Sequence, residues 1–141
     1  MAAINAVKIF NEKEVDEIVI LDISATKEKR KPNIAQISDI AGEAFMPLSY
    51  GGGITTLEEV KEILYQGAEK VILNTSALDR LELITQIAEQ FGSQSAVVSI
   101  DVKKDWLGKY KVYRNNGEKK TALSPVDFAK QVEAAGAGEI I

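Results

Sequence analysis

Two rhythms of apolar residues alternate along this chain. Short unbroken runs, Ile18-Val19-Ile20-Leu21, Lys70-Val71-Ile72-Leu73 and Ala96-Val97-Val98-Ser99-Ile100, show no polar face. Such runs suit strands buried on both sides, as in a parallel sheet covered by helices. Between them apolar residues recur every three or four positions, the period of an amphipathic helix. Ile4, Val7, Ile9 and Phe10 give one such side over 4–14. Pro32 and Asn33 open a second helix through Ile34, Ile37, Ile40 and Ala41. Leu57, Val60, Ile63 and Leu64 mark a third; Thr56 and Glu59 form its capping box, and Gln66-Gly67 ends it. Leu81, Ile84, Ile87, Ala88 and Phe91 form a fourth stripe that stops at Gly92. Ser124-Pro125 starts a last helix with Val126, Phe128, Ala129, Val132 and Ala135.

Strands are expected to begin near 18, 46, 70, 96 and 138. The first three gaps, 28, 24 and 26 residues, fit one strand and one helix each. The fourth, 42 residues, also holds a hairpin, signalled by Arg114-Asn115-Asn116-Gly117 between 109–112 and 118–122. Repeated strand-helix units predict an α/β fold with a parallel sheet in a single domain over 1–141. Two architectures satisfy the pattern: a partial (βα)8 barrel, or a flavodoxin-like open sheet. A complete barrel has eight strands. The pattern supplies four and the start of another, so the chain reads as a barrel cut at both ends.

The residues at the carboxyl ends of these strands are the candidate chemistry, because parallel βα proteins place their sites there. They are Asp22, Gly51-Gly52-Gly53, Asn74-Thr75 and Asp101. Each alone could be a turn or a helix cap. Four polar or glycine-rich ends in succession favour a lined site. Three glycines before a capped helix bring backbone N–H groups close to a ligand, which suits a phosphate. Residues 24–31 form a charged loop, Lys27 to Lys31, that is either solvated surface or a phosphate-gripping lid.

Composition narrows the chemistry. The chain has no cysteine and no histidine, so a thiolate nucleophile, a His general base and a Cys- or His-ligated metal are excluded. Acid–base work falls to carboxylates, lysines or tyrosines. No metal and no cofactor are expected. A net charge of −4 argues against nucleic acid as the main partner. No apolar run approaches the roughly 20 residues of a membrane span. A cytoplasmic protein is expected.

The segments VDEIVILDI (15–23), PLSYGGGI (47–54), EKVILNT (69–75), FGSQSAVVSIDVKK (91–104) and GAGEI (136–140) resemble the cyclase subunit of imidazole glycerol phosphate synthase over essentially the whole chain. The resemblance implies a (βα)8 barrel, here its strands two to five and the start of six. It implies an ammonia-dependent lyase and cyclase of histidine biosynthesis, acting on a bis-phosphorylated ribulosyl substrate with ammonia from a glutaminase subunit. Asp101 matches the family's fifth-strand catalytic aspartate; the first-strand aspartate and the second phosphate site have no counterpart. Gly53, Asn74 and Thr75 match a phosphate site, and Asp22 a polar pocket position. Glu17 and Lys70 match charged residues ringing the family's ammonia entrance, on the face where the glutaminase docks; the other reading is an ordinary surface ion pair. The isolated chain is accordingly expected to be inactive. Two alternatives are a non-catalytic phosphate-binding half-barrel and a scaffold paired with an amidotransferase in surface-sugar modification. The Ser49-Tyr50 pair and the acidic 11–17 stretch point towards the branch linked with that modification.

An open barrel would leave strand edges at 18–21 and 138–141, and would uncover an inner face containing Ile20, Val71 and Val98 or their neighbours. A homo-oligomer, most simply a dimer, is expected from that.

Overall fold

The computed structural model describes residues 3–141. Helix α1 (Ala3–Glu12) precedes strand β1 (Ile18–Leu21). Helices α2 (Ile23–Lys27) and α3 (Ile34–Glu43) lead to β2 (Leu48–Gly51), and α4 (Leu57–Tyr65) leads to β3 (Lys70–Leu73). Helices α5 (Thr75–Asp79) and α6 (Leu81–Phe91) lead to β4 (Ala96–Val98). Strands β5 (Asp101–Lys104), β6 (Tyr110–Arg114) and β7 (Lys119–Lys120) follow, then α7 (Pro125–Ala135) and β8 (Glu139–Ile140).

The helices begin where side chains satisfy their orphan amides. The Asn33 side chain accepts from the Gln36 amide at the start of α3, and Ser124 accepts from the Asp127 amide at the start of α7. Thr56 and Glu59 complete the capping box of α4.

One sheet is parallel, with order β1-β2-β3-β4-β8; the other is antiparallel, with order β5-β6-β7. The parallel strands follow one another in chain order, as in a (βα)8 barrel. A flavodoxin-like sheet would place its second strand outside the first, so the barrel order is the one the chain adopts. Among the described residues the sheet is open, with β1 and β8 at its edges.

Register assigns the faces. Ile20 pairs with Tyr50, Tyr50 with Val71, and Val71 with Ala96. This row packs into the main core with Ile84 and Ile87 of α6 and Phe128 and Val132 of α7. Ile18 and Leu48 pack with Val7 and Ile40 beneath α1 and α3. Ile20, Val71 and Val98 therefore lie on the helix side, not on the inner face. Their neighbours Val19 and Leu21 face the other way and are 47% and 51% exposed.

Two segments differ from the sequence expectation. Residues 24–31 are not all loop: α2 forms because the Asp22 side chain accepts from the Ser24 amide. The extra element is a three-stranded sheet, not a simple hairpin. Asp101 begins β5, where it pairs with Tyr113, while Val102 pairs with Val112. Val102-Lys103-Lys104 carries too little alternation to read as a strand.

Tyr50 is 1% exposed, and its hydroxyl lies by the Asn33 backbone without a hydrogen bond of good geometry among the described residues. Burial pushes its phenol above the ordinary tyrosine range. A buried hydroxyl without a partner costs about 1–3 kcal/mol. Tyr50→Phe removes that cost and keeps the ring. It is expected to leave stability unchanged or raise it by about 1 kcal/mol, read by urea unfolding. A clear loss of stability would mean that the hydroxyl is bonded in solution.

Among the described residues no helix is long and apolar enough to cross a membrane, and no cluster of acidic side chains could hold a metal ion.

Candidate active site

The carboxyl ends of β1 to β4 open onto one cleft of about 680 Å³. Asp22, Gly52, Gly53, Asn74, Thr75 and Asp101 all line it. Five of the seven sequence-expected site residues are thus brought together. Glu17 and Lys70 lie at the opposite end of the sheet, before β1 and at the start of β3.

The glycine loop is forced by close approach. Gly52 has φ +120°, and a Cβ there would stand 2.4 Å from the Asp22 carbonyl oxygen. Gly53 has φ +71°, and its Cβ would stand 2.5 Å from the Arg30 carbonyl oxygen and 2.8 Å from the Ala25 Cβ. Glycine alone combines that backbone with that contact. The capping box engages the amides of Thr55, Thr56 and Glu59 at the start of α4. Glu59 Oε1 accepts from the Thr55 amide at 3.3 Å and the Thr56 amide at 3.1 Å, and Thr56 Oγ1 accepts from the Glu59 amide at 3.2 Å. The backbone lining the cleft is the stretch just before, Gly52-Gly53-Ile54.

Asn74 ties the ends of β3 and β4 together. Its Nδ2 donates at 3.2 Å to the Ser99 carbonyl, to Ser99 Oγ and to Asp101 Oδ2. Thr75 Oγ1 lies 3.4 Å from Asn74 Oδ1 and accepts from the Asn115 amide at 3.1 Å. Asp101 therefore sits in a line of groups running from the hairpin turn through Thr75 and Asn74. With one oxygen held by an amide donor, the carboxylate keeps a fixed orientation while its other oxygen is free of that bond.

Asp22 is committed to structure as well as to the cleft. Arg30 Nη1 and Nη2 grip its two oxygens at 2.8 and 3.0 Å, a bidentate pair. The Arg30 guanidinium holds the Asp22 carboxyl below the ordinary aspartate range. A carboxyl lowered on folding stabilises the fold above its unfolded pKa, and that contribution is lost as pH falls through the folded value. Lys29 and Lys31 also line the cleft and form no ion pair among the described residues. The charged 24–31 segment thus borders the cleft on its basic side. The hairpin turn meets it there: Lys27 pairs with Glu118 at 2.9 Å, and Asn116 Nδ2 donates to the Ile23 carbonyl.

At the amino end of the sheet, Lys70 Nζ lies 3.3 Å from Glu17 Oε1 and 3.0 Å from Glu139 Oε2. The buried Ser49 donates its hydroxyl to the same Glu17 oxygen at 3.0 Å. Glu139 and then Glu17 raise the Lys70 ammonium above the ordinary lysine range. Sequence reading missed Glu139 and Ser49 here, and Ser99 and Arg30 in the cleft. The signal for Glu139 was its place as the first residue of a strand, as Lys70 is of β3. Ser99 was hidden inside an apolar run, and Arg30 among four other charged residues.

A family model described as "Histidine biosynthesis protein" matches residues 2–141. The chain is 51% identical over 137 residues to the protein named "Putative imidazole glycerol phosphate synthase subunit hisF2" of Pseudomonas aeruginosa, covering 97% of this chain and 55% of that one. It is 48% identical over 139 residues to a "Putative imidazole glycerol phosphate synthase subunit HisF" of Leptospira interrogans, covering 98% and 55%. It is 42% identical over 134 residues to the imidazole glycerol phosphate synthase subunit HisF of Chlorobium luteolum, covering 95% and 53%. The chain spans about half the length of the curated relatives it matches. The family match reaches from residue 2 to residue 141, so every strand of the parallel sheet falls inside it, and the chain belongs to the histidine biosynthesis protein family.

Proposed function

We propose that this chain is a phosphate-binding part of an imidazole glycerol phosphate synthase cyclase, the ammonia-dependent lyase of histidine biosynthesis. The observation that carries the reading is the Asn74 side chain, which touches Asp101 while Thr75 and the glycine loop border the same cleft. In this reading one phosphate of the ribulosyl substrate lies against the backbone at Gly53 and the polar groups of Asn74 and Thr75. That anchor brings the reacting carbons under Asp101, which acts as a general acid or base. Asp22, held by Arg30, is a fixed negative wall of the pocket.

Ammonia enters from the other end of the sheet, past Lys70, Glu17 and Glu139, where a glutaminase subunit docks. An ion pair between side chains of opposite charge is a fitting gate, since it opens by rotation of Lys70 without a backbone change. A cytoplasmic setting follows from this metabolic role. One acidic group and one phosphate site supply part of the catalytic set. Each missing acid–base group is worth about 10²–10⁴-fold in rate, so the isolated 141 residues are expected to turn over no detectable substrate.

Titration with inorganic phosphate followed by amide NMR tests the site. The Gly53 and Thr75 amides are expected to shift at millimolar ligand. Thr75→Val is expected to weaken binding about tenfold, the worth of one hydrogen bond to a charged group. Unmoved Gly53 and Thr75 signals would overturn the reading. So would turnover of the bis-phosphorylated substrate by the isolated chain that Asp101→Asn leaves unaltered.

A further inference from the structure

Helix α2 ends on a residue that its backbone does not favour. The Arg30 amide donates to the Ala25 carbonyl at 2.8 Å, and the Lys29 amide to the Thr26 carbonyl at 3.2 Å. Two such bonds make a Schellman motif, whose left-handed residue is most often glycine. Here that residue is Lys29, with φ +52°. After α4 and α7 the corresponding residues are glycines, Gly67 at φ +115° and Gly136 at φ +114°. Glu14, after α1, is another side chain at positive φ, but it lines no part of the cleft. Lys29 does line it. A side chain kept in a disfavoured backbone conformation beside a cleft points to binding rather than to folding.

The same turn rests on the glycine loop. A Cβ on Gly53 would meet the Arg30 carbonyl oxygen and the Ala25 Cβ, so the end of α2 lies directly against that residue. Lys29 and Lys31 flank Arg30 in the chain, and both line the cleft.

Pairing leaves these two lysines as the spare cations. Arg30 grips Asp22 at 2.8 Å, Lys27 meets Glu118 at 2.9 Å, and Arg114 meets Asp79 at 2.8 Å. Of the charged side chains that line the cleft, Lys29, Lys31 and Asp101 stand outside every ion pair among the described residues. Two cations against one carboxylate leave a positive surplus beside backbone suited to a phosphate. Both lysines are exposed, so their ammonium groups are free to turn to a ligand.

Given the reading of the cleft as a phosphate site, we propose that Lys29 and Lys31 form the cationic side of the subsite at Gly53. The cleft thereby selects a phosphomonoester over a phosphodiester. The monoester carries nearly two negative charges at neutral pH and the diester one, so the surplus of positive charge favours the first.

Methyl phosphate and dimethyl phosphate are the probes, titrated into the 141-residue chain at about pH 7.5, where the monoester is largely a dianion. Amide NMR reads the Gly53 and Thr75 signals. Methyl phosphate is expected to bind about fivefold more tightly than the diester, at the upper end for an exposed ion pair. Lys29→Gly is expected to weaken methyl phosphate by about the same factor, and adding Lys31→Ala removes the preference for the monoester. Lys29→Arg keeps the charge and the preference. Lys130→Ala, an exposed lysine of α7, controls for net charge and leaves binding as it was. Salt near 1 M, where the Debye length is about 3 Å, erases the preference in the parent chain.

Urea unfolding separates binding from folding. Glycine suits φ +52°, so Lys29→Gly is expected to unfold at no lower a urea concentration than the parent. A lysine present only to complement the carbonyl end of α2 would instead lower stability on its loss. Lys29→Gly and Lys31→Ala chains that bind methyl phosphate as the parent does would overturn the proposal alone. So would equal affinity for the two esters in the parent. A parent chain whose Gly53 and Thr75 amides never move would overturn it together with the reading of the cleft on which it rests.

Discussion

Gly52→Val is expected to destabilise the chain by roughly 3–5 kcal/mol, adding backbone strain to an overpacked contact. A φ of +120° lies outside the range a branched side chain tolerates, and the new Cβ would press on the Asp22 carbonyl oxygen at 2.4 Å and the Asp22 Cβ at 2.9 Å. Backbone on one side cannot give way as a flexible side chain would. Relief requires sliding β1 against β2, where Leu21 pairs with Gly51, and that also moves the Asp22–Arg30 pair. Domains of this size are stable by only about 5–15 kcal/mol, so the loss is a large share. Gly42 is the control: it lies within α3 with nothing within 4 Å of an added Cβ. Gly42→Ala should stabilise by about 0.5–1 kcal/mol from helix propensity. Urea unfolding of the pair decides it. A Gly52→Val chain as stable as the parent would mean that the loop is not held against β1.

Lys70→Glu is expected to loosen the last strand. It replaces the cation between Glu17 and Glu139 by a third carboxylate. These groups are partly solvated, with side-chain exposures of 24% for Lys70, 39% for Glu17 and 46% for Glu139. Screening therefore limits the loss to about 2 kcal/mol. Strand β8 bears it, because it is an edge of two residues in register with Val97 and Val98. Hydrogen exchange at 139–141 is expected to accelerate well before exchange in β2 or β3. The pH dependence separates charge from packing. In the parent, Lys70 has a raised pKa, so its contribution is whole below the unfolded lysine pKa and is lost as pH rises through the folded value. The variant has no ammonium at this position, so it should lack that loss at alkaline pH. Unaltered exchange in β8 at neutral pH would show that Lys70 does not hold the strand.

The fold was legible where one local signal agreed with one tertiary outcome. Thr56 and Glu59 give a capping box in sequence and in structure. The apolar runs at 18–21 and 70–73 became parallel strands in the expected order. The faces were not legible. An unbroken apolar run has no phase, so assigning Ile20 and Val71 inward or outward required the register. Asp101 shows a different limit: a strand-end aspartate looks the same whether it ends one strand or begins another. Within the site, single residues at strand ends were visible because position alone marked them. Ser99 and Arg30 were not, since a serine in an apolar run and an arginine in a charged loop gain meaning only from what they touch. Glu17, Lys70 and Glu139 are far apart in sequence, and the salt-bridged cluster they form needs β1, β3 and β8 brought together across the sheet, with β2 and β4 between them.

The hairpin turn touches the rest of the molecule through groups 91 and 93 positions away in the chain, Glu118 to Lys27 and Asn116 to Ile23. For two free segments, closing so long a loop would outweigh an exposed ion pair worth about 0–1 kcal/mol. Here the parallel sheet has already brought both segments to one rim, so they meet at a high effective concentration. Contacts this weak can then part and rejoin while the sheet stays intact. The cleft thereby acquires a cover whose opening is a local event, separate from the unfolding of the chain.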